Sequence, residues 1–159
     1  MIKPWGKLSS LGLAIAGLSF LADQLHKAWM LGPYNIAGKG YVALLPFLDV
    51  VLTWNRGISY GWFAQHEGSG QWLLIALSLI ITSGLILWLA KAERPIIAAS
   101  LGLIIGGALG NALDRVRFGA VADFFLLHWG DFSWYVFNIA DVAIVAGVIL
   151  LMYDSVRNG

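Results

Sequence analysis

Long apolar stretches alternate with mixed segments along the chain. Four of these stretches approach the ~20 residues that a helix needs to cross the hydrocarbon core of a bilayer. The middle two contain no charged residue. The pattern therefore predicts an all-α membrane protein with four transmembrane helices. These run from about Leu8 to Ala28, Trp72 to Ala90, Ile96 to Leu113 and Trp134 to Tyr153.

The first apolar stretch has two interpretations. Lys3 and Lys7 precede it, as basic residues precede the apolar core of a cleavable signal peptide. The stretch continues, however, through Asp23, His26 and Lys27, which favours a retained helix. We expect residues 1–159 to form one integral membrane domain.

Four crossings put the two long connecting segments, about 29–71 and 114–133, on the same side of the membrane. The first segment has β-branched and aromatic residues in partial alternation over residues 41–63, with Gly57 and Gly61 as turn or bulge points. Tryptophans lie in or beside both segments, as is typical of chains at the level of the lipid headgroups. We predict a small β-rich region in the first of these segments.

The distribution of basic residues predicts the orientation of the chain in the membrane. Five Lys and Arg lie near the termini and in the short connection before Pro95, and five lie in or beside the long connecting segments. The first five are more densely placed, which puts the termini in the cytoplasm under the positive-inside tendency. The β-rich region is then extracytoplasmic.

Composition supports a membrane protein and excludes other classes. Hydrophobic residues make up 59% of the chain and charged residues 12%, and the mean hydropathy is +0.77. A formal net charge of +1 leaves no basic face large enough to neutralise the phosphates of a nucleic acid. Because the chain has no cysteine, any catalysis must use oxygen or nitrogen groups.

Polar residues converge near one membrane face in this topology. Asp23 and Lys27 are four residues apart on one predicted helix, which is the spacing of a structural ion pair. Asp114 and Arg115 have two interpretations, a second structural pair or part of a functional site. The full set is Asp23, Lys27, Asn55, Asn111, Asp114, Arg115, Asp123, Asn138 and Asp141.

The third apolar stretch carries glycines at four-residue intervals, at Gly102, Gly106 and Gly110. Small residues at this spacing let two helix backbones approach closely. We predict that this face of the helix packs against another helix.

Asp123 and Asp141 differ from Asp23 and Asp114 because neither has a basic neighbour within four residues in sequence. Asp141 lies near the start of the fourth apolar stretch, where an ionised and unpaired carboxylate would cost about 3 kcal/mol. Two carboxylates in a poorly solvated site tend to share a proton. This state suits peptide hydrolysis, in which the ionised acid deprotonates water and the protonated acid polarises the scissile carbonyl.

Five motifs span nearly the whole chain in a fixed order. They are DQLHK from Asp23, NRGISYG from Asn55, GGALGNALDR from Gly106, GAVADF from Gly119 and FNIAD from Phe137. In these motifs the chain resembles the lipoprotein signal peptidases (signal peptidase II), a family of bacterial intramembrane aspartic proteases. The resemblance also covers the length and the layout of four spans.

The resemblance implies that Asp123 and Asp141 are catalytic. It implies that the substrate is a prolipoprotein, cut just before a cysteine that carries diacylglycerol, in the bacterial inner membrane. It implies no cofactor or metal, contact with membrane lipid, and inhibition by cyclic peptide antibiotics of the globomycin type. His26 and Tyr60 depart from the family pattern, which bears on the shape of the pocket.

The remaining site residues fall into two implied groups. The residues expected to position the substrate or the acids are Asn55, Gly57, Asn111, Arg115 and Asn138. The residues expected to be structural are Asp23, Lys27 and Asp114.

Three other functions compete with this hypothesis. Asp114, Gly119 and Asp123 are spaced like part of the acidic metal motif of a lipid headgroup transferase, but Leu127 stands where a further carboxylate is expected. Ser59 and Lys27 offer a serine nucleophile with a lysine base. A proton-coupled carrier would use the acids as a relay, although four spans without a pair of broken helices fit it poorly.

Overall fold

The computed structural model describes residues 5–57 and 69–158. Most of these residues are helical, and a small antiparallel sheet lies beside the helices. In chain order the elements are α1 (Ser9–Leu31), α2 (Ile36–Lys39), β1 (Tyr41–Leu45), β2 (Leu48–Asn55), α3 (Ser69–Leu89), α4 (Pro95–Phe118), β3 (Val121–Trp129), β4 (Phe132–Ser133) and α5 (Ile139–Asn158).

Helix α4 is the central helix, and α1, α3 and α5 all pack against it. Its glycines allow the close approach that their spacing predicts. A Cβ atom at Gly106 would collide with the backbone of Ala16 in α1, and one at Gly107 would collide with the backbone of Ala140 in α5. Gly102 also faces α1. The small residues therefore bring α1 and α5 onto neighbouring sides of α4.

Helix α4 continues beyond its predicted end at Leu113 because no helix breaker precedes Gly119. Gly119 has a φ of 69°, and its N–H donates to the carbonyl of Arg115 at 3.0 Å, which is a left-handed C-cap. Asp114 and Arg115, expected in the connecting segment 114–133, are consequently helical.

Helix α5 begins at Ile139 rather than at Trp134, where the apolar stretch starts. Phe137 is instead held in an extended conformation, because it forms a β-bridge with Phe125 of β3. Asp141 therefore lies in the first turn of the helix and not in its interior.

The sheet has the strand order β1-β2-β3-β4, and all neighbours are antiparallel. Its first half, β1 and β2, confirms the predicted β-rich region over residues 41–55, while residues 58–63 of that prediction, with Gly61, lie outside the described residues. Strands β3 and β4 come from the second connecting segment, for which the sequence predicted no strand. Thr53 pairs with Asp123, and Asn55 pairs with Val121. The sheet thus brings Asn55 and Asp123 to the same corner.

Three helices in the described residues are long and apolar enough to cross a membrane, Gly70–Leu89, Pro95–Phe118 and Ile139–Asn158. Helix α1 carries Asp23 and Lys27 in its C-terminal half and is not among them. Large apolar side chains are exposed along these helices, as expected where lipid replaces water. The protein is thus a multi-pass membrane protein.

Candidate active site

Asp123 lies in the buried half of β3, with 1% of its surface exposed. Its Oδ1 accepts a hydrogen bond of 2.6 Å from Nδ2 of Asn138. Burial raises the pKa of Asp123 to about 6, and the charge of Asp141 adds to the rise. Hydrogen bonding from Asn55 and Asn138 and the charge of Lys27 oppose it. Asp123 therefore retains a proton to higher pH than an ordinary aspartic acid.

Asp141 lies in the first turn of α5, and both of its carboxylate oxygens accept hydrogen bonds. Nδ2 of Asn111 donates to Oδ1 at 2.9 Å, and the backbone N–H of Asn138 donates to Oδ2 at 3.1 Å. In return, the backbone N–H of Asp141 donates to Oδ1 of Asn138 at 3.0 Å. This reciprocal arrangement is a capping box in which an aspartate takes the place of glutamate. Asp141 thus both begins the helix and supplies an acid to the site.

Asn138 joins the two acids. It is fully buried, and its side chain contacts Asp123 while its backbone contacts Asp141. Its Nδ2 also lies 3.1 Å from Oδ1 of Asn111, and Nζ of Lys27 lies 3.3 Å from the same oxygen. Because these donors occupy Oδ1 of Asn111, the amide nitrogen of Asn111 is turned toward Asp141.

Asn55 at the end of β2 approaches the acids from the other side. Its Oδ1 accepts a hydrogen bond of 2.8 Å from the backbone N–H of Gly57, which has a φ of 75°. Since the turn occupies this oxygen, the amide nitrogen is the group that faces Asp123 and lowers its pKa. Asn55 and Asn111 share one pattern, in which the oxygen is held by the scaffold and the nitrogen meets a carboxylate.

A buried ionic cluster lies behind the two acids. Nζ of Lys27 is 2.8 Å from Oδ2 of Asp23 and 2.7 Å from Oδ2 of Asp114, so the predicted Asp23–Lys27 pair is confirmed. Asp23 also accepts a hydrogen bond from the backbone N–H of Ala140 in α5, and Asp114 accepts one from Ala122 in β3. The cluster therefore connects α1 and α4 to both segments that carry the acids.

Arg115 does not take the structural role that its position beside Asp114 suggested, because Asp114 pairs with Lys27 instead. Nη1 of Arg115 donates to the carbonyl of Asn111 at 3.2 Å. Its Nη2 lies 3.4 Å from the place that a Cβ atom at Gly57 would occupy. Nε of Arg115 has no hydrogen-bond partner among the residues described. Arg115 thus has donor capacity beside the turn that follows Asn55.

Gln24 belongs to the same network, and sequence reasoning did not identify it. Its Nε2 lies 3.1 Å from Oδ2 of Asp23, 3.0 Å from Oδ1 of Asp114 and 3.3 Å from the carbonyl of Gly110. An uncharged amide between Asp23 and Lys27 carries no local signal. Only the DQLHK motif, taken as a whole, could have indicated it.

The two acids line a cleft of about 1080 Å³. The turn of residues 55–57 forms one side, and Trp134 and Leu126 contribute apolar surface. Val142 and Val145 continue the lining along α5. The cleft therefore combines an acidic polar end with an apolar wall on a membrane helix.

Hydrogen bonds and ion pairs connect eight of the ten predicted site residues, and the other two, Asn55 and Gly57, line the same cleft as the two acids. Their positions agree with the predicted convergence on one face, while their roles stay predictions. Ser59, the alternative nucleophile, lies outside the described residues. In residues 5–57 and 69–158, no group of three or more His, Asp or Glu residues is placed to hold a metal ion. The metal-dependent alternative therefore has no ligand set in that part of the chain.

Paired carboxylates at a cleft between the sheet and an apolar helix are typical of a membrane-embedded hydrolase of the aspartic type. The family model for signal peptidase (SPase) II matches residues 15–157. The chain belongs to this family, and it is a peptidase of the class that removes signal peptides from prolipoproteins.

Named relatives agree with the family match. The lipoprotein signal peptidase of Rhodopseudomonas palustris is 48% identical over 149 residues, which cover 91% of this chain and 91% of that protein. The one from Methylocella silvestris is 52% identical over 145 residues, which cover 91% of this chain and 85% of that protein. A bacterial membrane enzyme solved by the in meso method at 2.3 Å resolution superposes with a TM-score of 0.75 and 26% identity, covering 100% of this chain and 96% of that one.

Proposed function

We propose that Asp123 and Asp141 hydrolyse the peptide bond that precedes a diacylglyceryl-modified cysteine in bacterial prolipoproteins. The observation that carries this proposal is the position of Asn138, which bonds to both acids at the wall of the cleft. A shared donor keeps the carboxyl groups on either side of one small volume. A water molecule and a scissile carbonyl can meet there.

The different surroundings of the two acids support different roles for them in this proposal. Asp141 receives a donor on each oxygen and lies in the positive first turn of a helix, so it is the carboxylate that takes a proton from water. Asp123 is buried with a raised pKa, so it carries the shared proton and donates to the scissile carbonyl oxygen. After water adds to the carbonyl carbon, Asp141 returns its proton to the departing nitrogen. Asp123 recovers its own proton as the carbonyl re-forms.

The lining of the cleft favours a lipid-modified substrate. Its polar end holds the acids, and its apolar side follows Val142 and Val145 along a helix that is apolar enough to span the bilayer. Acyl chains that lie against this wall would hold the modified cysteine at the depth of the acids. Binding of these chains then supplies the positioning of the scissile bond.

In this proposal, one group of residues around the acids orients the carboxylates and another positions the substrate. Asn111 and Asn138 orient the carboxylates through the bonds described above. Asn55, Gly57 and Arg115 surround the open side of the site and position the substrate backbone. Cyclic peptide antibiotics of the globomycin type would inhibit by placing an uncleaved peptide and an acyl chain in the same cleft.

We propose that α1 also crosses the membrane, which gives four spans in a single domain of residues 1–159. Its buried charges, Asp23 and Lys27, neutralise each other, and Lys27 also pairs with Asp114 of α4, so their cost in the bilayer is reduced. An even number of spans puts both termini on one side, and the density of basic residues places that side in the cytoplasm. The active site then lies at the extracytoplasmic face of the bacterial inner membrane.

The test is cleavage of a defined lipopeptide by the purified full chain in detergent. The substrate is a signal peptide with a diacylglyceryl cysteine, and mass spectrometry identifies the products. We expect one cut just before the modified cysteine, unchanged by EDTA and absent in Asp123→Asn and Asp141→Asn. Cleavage by either variant, or loss of activity with EDTA, would reject the proposed pair.

A further inference from the structure

The ring of His26 in α1 packs against the strand that carries Asp123. Its centroid lies 5.2 Å from that of Phe125 with an interplanar angle of 24°, which is a stacked arrangement. It lies 5.5 Å from that of Phe124 at 85°, which is an edge contact. Both phenylalanines follow Asp123 directly in β3, and Phe124 is fully buried. His26 thus fixes the backbone immediately next to one acid.

The same contact extends to the segment that carries the other acid. The rings of Phe125 and Phe137 have centroids 5.8 Å apart. The backbone N–H of Phe125 donates to the carbonyl of Phe137 at 2.9 Å, and the N–H of Phe137 donates back at 3.0 Å. Phe137 immediately precedes Asn138, the cap of α5. The rings of His26, Phe125 and Phe137 therefore form a row across the junction of the two acid-bearing segments.

The contribution of His26 comes from its ring faces and not from a hydrogen bond. Its Nδ1 is buried and has no hydrogen-bond partner in the described part of the chain. The backbone at this point of α1 is held by the neighbouring Lys27, which bonds to Asp114 of α4. The ring is therefore presented from a fixed helix to the side of the β3 strand.

We propose that His26 is a positioning residue that sets the relative placement of Asp123 and Asp141 by packing against Phe124 and Phe125. This inference rests on the proposed function of the two acids. His26 touches neither acid and acts through the aromatic row. Loss of the ring would let the junction of β3 and Phe137 shift while the ionic cluster and the cleft remain.

Steady-state kinetics on the lipopeptide, together with thermal unfolding in detergent, test this role. We expect His26→Ala to lower kcat at least about tenfold, since small displacements of reacting groups are costly, and to change KM less than about twofold. His26→Phe keeps a flat ring without nitrogen and should restore kcat to within about threefold of the parent. Leu25→Ala is the matched control, because Leu25 is the preceding residue of α1 and is 67% exposed.

Two results would overturn the proposed role of His26. Parent kcat in His26→Ala overturns the inference, and so does a His26→Phe variant as slow as His26→Ala. Should His26→Ala fail to fold, His26→Leu retains apolar volume without a flat ring and is held to the same expectation. Asp123→Asn is run in parallel. If it turns over, the proposed function fails; if it is inactive while His26→Ala is fully active, only the role of His26 fails.

Discussion

Asn138 and Asp141 cap each other across the first turn of α5. The side chain of each residue accepts a hydrogen bond from the backbone N–H of the other, at 3.0 and 3.1 Å. A carboxylate that seemed costly within an apolar stretch is therefore a normal part of a helix N-terminus. The same exchange fixes the direction in which the carboxylate faces the cleft.

Substitution of the two acids by asparagine should abolish turnover in both cases but affect stability differently. Asn at position 123 resembles a protonated aspartic acid, which also has one donor group and one acceptor oxygen, so its surroundings at Asn138 and Asn55 change little. Asn at position 141 directs an NH₂ group toward one of two existing donors, which leaves a buried donor unsatisfied at a cost of about 1–3 kcal/mol. Thermal unfolding in detergent below about pH 6, where Asp123 holds its proton, should show a lower stability for Asp141→Asn than for Asp123→Asn. The reverse order would contradict the assigned protonation states.

The pH dependence of stability should carry the signature of Asp123. Its pKa is 3.8 in the reference state and about 6 in the folded protein, so the folded state binds the proton more tightly. This contribution is complete below about pH 4 and is lost as the pH rises through about 6. The melting temperature of Asp123→Asn minus that of the parent should therefore increase from about pH 4 to about pH 6 and stay level at higher pH. A flat difference across that range would show that Asp123 titrates normally.

Asn55 should be needed for turnover but not for stability. Asn55→Asp keeps an oxygen for the N–H of Gly57 but loses the amide nitrogen that faces Asp123, and Asn55→Gly loses both groups at the end of β2. We expect both variants to fall at least about tenfold in turnover. Asn35 is the control, because its Oδ1 also accepts from a backbone N–H, that of Gly38, where Asn35 caps the short helix α2. Normal turnover by both Asn55 variants would make Asn55 a turn residue only.

Close packing of α1 on α4 should make Gly106 intolerant of a methyl group. A Cβ atom there would collide with Ser19 and with the backbone of Ala16, whereas one at Gly84 in α3 would meet nothing within 4 Å. Gly106→Ala should lower the melting temperature, and Gly84→Ala should leave it unchanged or raise it slightly. Equal stability of the two variants would indicate that α1 and α4 separate readily.

Membrane orientation can be measured with introduced thiols because the chain has no cysteine of its own. Lys39→Cys and Gly130→Cys should react with an impermeant thiol reagent in intact spheroplasts. Arg157→Cys, near the end of α5, should react only after lysis. The opposite labelling pattern would place the acids on the cytoplasmic side and reverse the proposed topology.

Features of the fold that depend on local sequence could be predicted, whereas features that depend on contacts between distant segments could not. Four apolar stretches indicated the four long helices, since length and hydropathy are local properties. The start of α5 was not predictable, because the bridge between Phe137 and Phe125 that delays the helix joins distant segments. Strand β3 was missed because it begins buried on both faces, so VADFFLLHW shows no alternation of polar and apolar residues.

The same division between local and long-range interactions applies to the candidate site. Asp23 and Lys27 form the pair that their spacing predicts, whereas the partner of Asp114 is a lysine on another helix and not the adjacent Arg115. Asp123 and Asp141 stood out from Asp23 and Asp114 because no basic residue lies within four positions of them in sequence. The amide orientations that distinguish the two acids depend on contacts among four elements, and no sequence pattern encodes them.

The bond from Gln24 to Asp114 joins residues 90 positions apart, and the Lys27–Asp114 ion pair spans nearly the same interval. During synthesis, α1 leaves the ribosome well before α4 does. Until Asp114 arrives, the charges of α1 have only each other as partners, so the first helix made completes its integration only with a late one. A nascent chain arrested before α4 would hold the Asp23–Lys27 ion pair without the further partners that α4 and α5 supply, such as Asn111 for Lys27 and the backbone N–H of Ala140 for Asp23.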